Sequence, residues 1–75
     1  MANKFIRFYL DISYDQYLAV YQGIAQSITT ISDDGLRIVF PAGKIQRFLT
    51  KDGIHGHFEM ELTQKNKFVA ITKIG

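Results

Sequence analysis

With 75 residues, 47% of them hydrophobic and 21% charged, the chain has the composition of one small globular domain spanning residues 1–75. A domain this size buries only about 60% of the surface its unfolded chain exposes, which argues against a sizeable internal active-site cavity. Having no cysteine, it has neither a disulfide framework nor a thiolate zinc site, and a reducing, cytoplasmic setting is expected. The net charge of +2 permits an acidic partner without demanding one.

Residues 4–12 alternate as a strand does, with Ile6, Phe8, Leu10 and Ile12 on one face and Phe5, Arg7, Tyr9 and Asp11 on the other. The second face is only half polar, so Phe5 and Tyr9 need a cover, either a helix of this chain or a second subunit. The interleaved charges of the first ten residues are unlike a signal peptide, and no segment approaches the roughly 20 apolar residues of a membrane span, so no membrane association is expected.

Ser13-Tyr14-Asp15-Gln16 fits a capping box, and a helix is predicted to start there. Tyr14, Tyr17, Leu18 and Tyr21 form its apolar stripe, Ile12 is placed to staple onto Tyr17, and Gly23 is expected to end the helix in the left-handed region. Tyrosines at this spacing lay their rings on a sheet and keep their hydroxyls wet. The β-branched residues of 24–32 predict a strand, Ser32-Asp33-Asp34-Gly35 a turn, and residues 36–40 a returning strand with Leu36, Ile38 and Phe40 facing in.

Pro41 has no N–H for a ladder and is suited to the first position of a second helix over about 41–50. Ala42, Ile45 and Leu49 mark its buried side, with Phe48 at the border, while Lys44, Arg47 and Lys51 share an arc on the other side. Asp52-Gly53 closes the helix and Gly56 loosens the next strand's entry. In residues 57–63, Phe58, Met60 and Leu62 face in and His57, Glu59 and Glu61 face out. Residues 64–67 form a tight connection in which Asn66 tolerates positive φ, and 68–74 run back as the last strand.

The order β-α-β-β-α-β-β predicts an α+β domain in which two short helices cover one face of a mainly antiparallel, curled sheet of about five strands. A ferredoxin-like arrangement of the first six elements is the alternative.

The runs Ile12-Ser13-Tyr14, Tyr21-Gln22-Gly23, Asp34-Gly35-Leu36-Arg37, Phe40-Pro41-Ala42, Arg47-Phe48-Leu49-Thr50 and Asp52-Gly53-Ile54-His55-Gly56 with Phe58 carry a resemblance. Together they resemble a family of short proteobacterial proteins, domain of unknown function 2835, over nearly the whole chain. The Phe-Pro-Ala to Gly-Ile-His-Gly spacing is the most specific part. The resemblance implies a free-standing bacterial cytoplasmic protein and supplies no activity, substrate or catalytic residue. The family pattern often has a second proline inside or before the Arg-Phe segment and an arginine at the position of His57, so it lends His57 no role.

Read for chemistry, His55, His57 and Glu59 share a strand face, but a structural zinc wants four ligands and the chain has no further histidine. Glu59 and Glu61 pair carboxylates without an evident pocket. Ser13, Ser27 and Ser32 have no histidine at a readable spacing. Gly53-Ile54-His55-Gly56 has the outline of a nucleic-acid-clamping loop, yet joins a helix to a strand instead of two helices. The expectation is therefore a non-catalytic protein with no cofactor or metal.

Two surfaces remain. The outer face of the first strand, Phe5, Arg7 and Tyr9, suits a protein partner or a homodimer. The basic arc Lys44, Arg47 and Lys51, joined by Arg37 and Lys4, suits nucleic acid, and it would combine phosphate attraction with stacking if it lay beside Tyr9 or Phe5. The first is the preferred reading.

Overall fold

Alternation along Lys4–Ile12 (β1) and Ile54–Leu62 (β4) yields two nine-residue strands that pair antiparallel in unbroken register, from Lys4 opposite Leu62 to Ile12 opposite Ile54. Phe68–Lys73 (β5) returns beside β4, giving a three-stranded sheet in the order β1-β4-β5. Ser27–Ile31 (β2) and Arg37–Pro41 (β3) form a second, two-stranded antiparallel sheet. This computed structural model describes residues 2–23 and 26–75, so the first residues of the strand expected over 24–32 lie partly outside the described residues.

The two sheets meet at one corner. Phe8 bridges Ser32, the Asp33 amide donates to the Arg7 carbonyl at 2.8 Å, and the Thr30 hydroxyl reaches the Tyr9 carbonyl. The whole is α+β with open, antiparallel sheets. Every pairing being antiparallel, the parallel central pair of a ferredoxin-like arrangement does not form among the described residues.

Helix α1 spans Tyr14–Gln22, and the expected capping box is complete: the Gln16 amide donates to Ser13 Oγ at 3.1 Å and the Ser13 amide to Gln16 Oε1 at 3.0 Å. Tyr17 is fully buried, and its hydroxyl does not stay wet as expected; it donates to the Ala42 carbonyl at 2.9 Å. Gly23 is not left-handed, with φ −78° and ψ 172°. Its glycine is explained by space, since a Cβ there would lie 2.8 Å from the Ala19 carbonyl oxygen.

The second helix is shorter and tighter than expected, a 3-10 helix over Ala42–Phe48 with Pro41 ending β3 as its cap. Its inward residues Ala42, Ile45 and Phe48 recur every three positions, the repeat of a 3-10 helix, and Gly43 is a poor α-helix former. Leu36, expected to face in, is exposed because β3 begins only at Arg37.

The core lies between the inner face of β1-β4-β5 and a layer made of α1, the 3-10 helix and the β2-β3 hairpin. Phe8, Phe58, Ile54 and Ile71 from the first meet Tyr17, Ile28, Phe40 and Ile45 from the second. Phe8 packs between Phe40 and Phe58 with ring centroids 5.6 and 6.1 Å away, and Phe48 meets Phe58 edge-on at 5.1 Å. Both helices are thus spent on one face of the sheet, and the other face is left to solvent.

Candidate functional site

Because β1 and β4 run in register, their outward side chains stand opposite one another as a ladder of unlike pairs. Arg7 Nε donates to Glu59 Oε2 at 2.9 Å. Tyr9 stacks on His57 with ring centroids 4.0 Å apart and planes 6° from parallel. His55 Nδ1 lies 2.6 Å from Asp11 Oδ1, and Asn3 Nδ2 donates to Glu61 Oε2 at 2.7 Å. His57 Nε2 also lies 2.7 Å from Asp33 Oδ2, which the sheet corner delivers from the hairpin turn.

This arrangement answers the first expectation. Phe5 and Tyr9 are covered by no helix of the chain; they are 57% and 65% exposed, and Arg7 lies between them along β1. The carboxylates around them each have a hydrogen-bonding partner within the molecule. What faces solvent is a flat stripe of two aromatic rings set among hydrogen-bonded polar pairs.

His55 is the titrating member of this ladder. Its pKa is raised, first because Nε2 faces the Asp52 carbonyl at 2.7 Å and second because Nδ1 faces the Asp11 carboxylate. Two acceptors on two ring nitrogens can both be met only by the doubly protonated imidazolium. Tyr17 has a raised pKa as well, chiefly from burial and secondarily from Tyr21 beside it. His55 and His57 are thus each committed to a separate carboxylate, and no group of three His, Cys, Asp or Glu side chains that could hold a metal ion occurs among the described residues.

The basic residues are divided. Lys44 and Arg47 are brought together because three residues make one turn of a 3-10 helix, and both lean over β5. Lys44 Nζ sits 4.6 Å from the centroid of Phe68, and the Arg47 guanidinium lies 4.7 Å from the Phe48 ring while donating through Nη2 to the Ile71 carbonyl. Lys51 is exposed in the turn Thr50–Gly53, and Arg37 stands at the far end of β3, about 13 Å of strand from Pro41. Lys4 reaches Asn66 Oδ1 at 2.9 Å. The aromatic ring beside the arc is Phe68, not Tyr9 or Phe5. A register shift between Glu61 and Leu62 sets Phe68 opposite Leu62, and Ala70 opposite Glu61, leaving Val69 as an extra residue and both Phe68 and Val69 exposed. Nothing in the alternation of residues 68–74 announces that bulge.

The model of a protein family described as protein of unknown function (DUF2835) matches residues 4–74. The chain belongs to the DUF2835 family. No curated protein matches it, and no solved structure does. The matched span covers both surfaces of this DUF2835 chain, from the Phe5 and Tyr9 stripe to the Lys44 and Phe68 contact. No helix among the described residues is long and apolar enough to cross a membrane.

Proposed function

We propose that this DUF2835 protein is a non-catalytic, cytoplasmic binding module that makes transient protein contacts through the outer face of β1 and β4. The observation that supports this reading is the uncovered aromatic stripe, Phe5 and Tyr9 at 57% and 65% exposure, on a face whose carboxylates already have hydrogen-bonding partners. An uncommitted flat face of this kind suits another protein surface: the rings contribute apolar contact, and the closed pairs need not be desolvated singly.

The size of the face supports a passing contact over a lasting one. Nine residues at about 3.3 Å and two strands at about 4.8 Å give roughly 30 by 10 Å, or about 300 Å². A standard interface takes about 800 Å² from each partner, so this face belongs with weak, transient encounters and not with obligate dimers.

The test is in-cell photo-crosslinking with a photoreactive residue at position 9 and, as a control, at position 51. Discrete adducts at position 9 that vanish when Phe5→Ser and Arg7→Glu are added, with none at position 51, support the reading. Adducts of equal yield at both positions would overturn it.

A further inference from the structure

A second surface lies where the curled assembly fails to close. The β3 edge and the β5 edge both border the gap between the two sheets, and each edge lines a recess of about 300 Å³. The β5 recess is bordered by the consecutive residues Phe68 to Ile71, and Arg47 already occupies that edge by donating to the Ile71 carbonyl. The β3 recess is not closed in this way. Ile38, Val39, Phe40 and Pro41 all line it, residues of both strand faces, so it runs along the edge of β3 and not over one side; Leu62 and Phe68 form the opposite wall.

The backbone of that edge carries hydrogen-bonding capacity. The Ala42 amide donates to the Gln26 carbonyl and the Ser32 amide to the Leu36 carbonyl. By the alternation of an antiparallel ladder, Phe40 and Ile38 therefore exchange bonds with β2, and the N–H and C=O groups of Arg37 and Val39 point outward. Val39 is 58% exposed. Pro41 offers only its carbonyl.

The β3 recess itself is lined by uncharged residues, and cations stand at its margin. Lys4 sits on Asn66 at the cleft wall, Lys44 sits over Phe68, and Lys65 and Lys67 flank Asn66 in the chain. Among the described residues, no aspartate or glutamate lines either recess. The carboxylates of β4 are on the opposite face, held by Arg7 and Asn3.

We propose that this cleft takes an extended acidic segment of another protein, added as a strand along the free edge of β3. Its backbone would bond to Arg37 and Val39, an apolar side chain would enter over Phe68 and Leu62, and alternate carboxylates would meet Lys4 and Lys44. The edge groups favour a peptide over nucleic acid, which has no use for a row of alternating N–H and C=O groups. A second copy of the chain fits less well. In an antiparallel pairing of two β3 edges about Val39, each Arg37 carbonyl meets a proline that has no N–H to give. This surface is separate from the aromatic stripe, so either proposal can fail without the other.

The test uses the whole chain, 15N-labelled, titrated with an end-capped octapeptide that alternates glutamate with valine and leucine. Saturable amide shifts confined to residues 37–41, 44 and 62–68, with slowed hydrogen exchange at the Val39 amide, are expected. Lys44→Glu should weaken binding by about tenfold and a lysine-for-glutamate peptide should fail to bind, whereas Phe5→Ser with Tyr9→Ser should leave affinity unchanged. The proposal is overturned by any of four results: no shifts at millimolar peptide, equal binding of the lysine peptide, tighter binding of a single-stranded oligothymidine in the same cleft, or the same shifts on concentrating the protein alone.

Discussion

Gly53 and Gly35 offer a matched pair of substitutions in which backbone strain is similar and surroundings differ. Both have positive φ, +107° at Gly53 and +86° at Gly35, a region that costs a non-glycine residue about 1–3 kcal/mol. A Cβ at Gly35 would meet nothing within 4 Å, whereas one at Gly53 would lie 2.0 Å from the Ile12 carbonyl oxygen and 2.9 Å from the Ser13 backbone. Those neighbours are main chain and cannot rotate away. Relief requires the corner between β1 and α1 to move, which disturbs the last pair of the β1-β4 ladder and the capping box together. We expect Gly35→Ala to cost about 1–2 kcal/mol and Gly53→Ala more than about 4 kcal/mol. A chain of this length holds only about 4–11 kcal/mol of stability in total. In urea and thermal melts followed by circular dichroism, Gly35→Ala should therefore still unfold cooperatively, about 4–15 °C lower, while Gly53→Ala should have lost most of its transition. If the two variants unfold within about 1 kcal/mol of each other, backbone overlap at the Ile12–Ser13 corner is not what makes Gly53 necessary.

Tyr17→Phe removes a buried donor and one hydrogen bond to the Ala42 carbonyl, which keeps its i→i+3 partner in the 3-10 helix, so a loss of about 0.5–1.5 kcal/mol is expected in urea melts with the fold retained by NMR. Ser13→Ala deletes the acceptor of the Gln16 amide at the start of α1 and should cost about 1 kcal/mol, with a Ser13→Asp variant recovering most of it. His55 gives a pH dependence of known sign. Its folded pKa is raised above the ordinary 6.5, so the folded state holds the proton more tightly than the unfolded one does. Its contribution is complete below pH 6.5 and is lost as pH rises through the raised folded pKa, so urea midpoints should fall as pH climbs above about 6.5. Asp11→Asn should shrink that slope, and His55→Gln should abolish the share that an imidazole NMR titration assigns to this ring; an unshifted titration would refute the reasoning.

Where one face of an element is buried and the other is wet, the pattern of residues was sufficient to read it. The alternation of β1 and β4, the capping box at Ser13 and the positive φ of Gly35 and Asn66 all came through, because each rests on contacts within a few residues. The spacing of Lys44, Arg47 and Lys51 looks alike at periods of three and of 3.6 over so short a run, so it does not separate the 3-10 helix from an α-helix. Gly23 was read as a conformational device when it is a spatial one, and only the approach of the Ala19 carbonyl reveals the difference. For the candidate surfaces, the aromatic stripe was legible residue by residue. Its pairing with His55, His57, Glu59 and Glu61 was not, since the register between residues 4–12 and 54–62 is a long-range fact. The same holds for Phe68, whose exposure depends on a bulge that no local signal marks.

The net charge of +2 is a poor description of the surface, because four carboxylates are held on the outer side of the sheet while Lys4 and Lys44 stand at the open edge. Of the carboxylates, Asp11, Asp33, Glu59 and Glu61 are held on the outer side by hydrogen bonds or ion pairs to His55, His57, Arg7 and Asn3. The cations Lys4 and Lys44 stand at the open edge with no carboxylate in either recess among the described residues. The two surfaces should consequently answer to different variables. Contacts made by the Phe5 and Tyr9 stripe rest on apolar area and should change little with salt. Contacts made at the β3 cleft rest on unpaired cations near solvent and should weaken once the Debye length falls well below the spacing of those charges, about 3 Å at 1 M salt against about 10 Å at 0.1 M. An interaction of this protein that survives high salt is assigned to the stripe, and one that does not is assigned to the cleft.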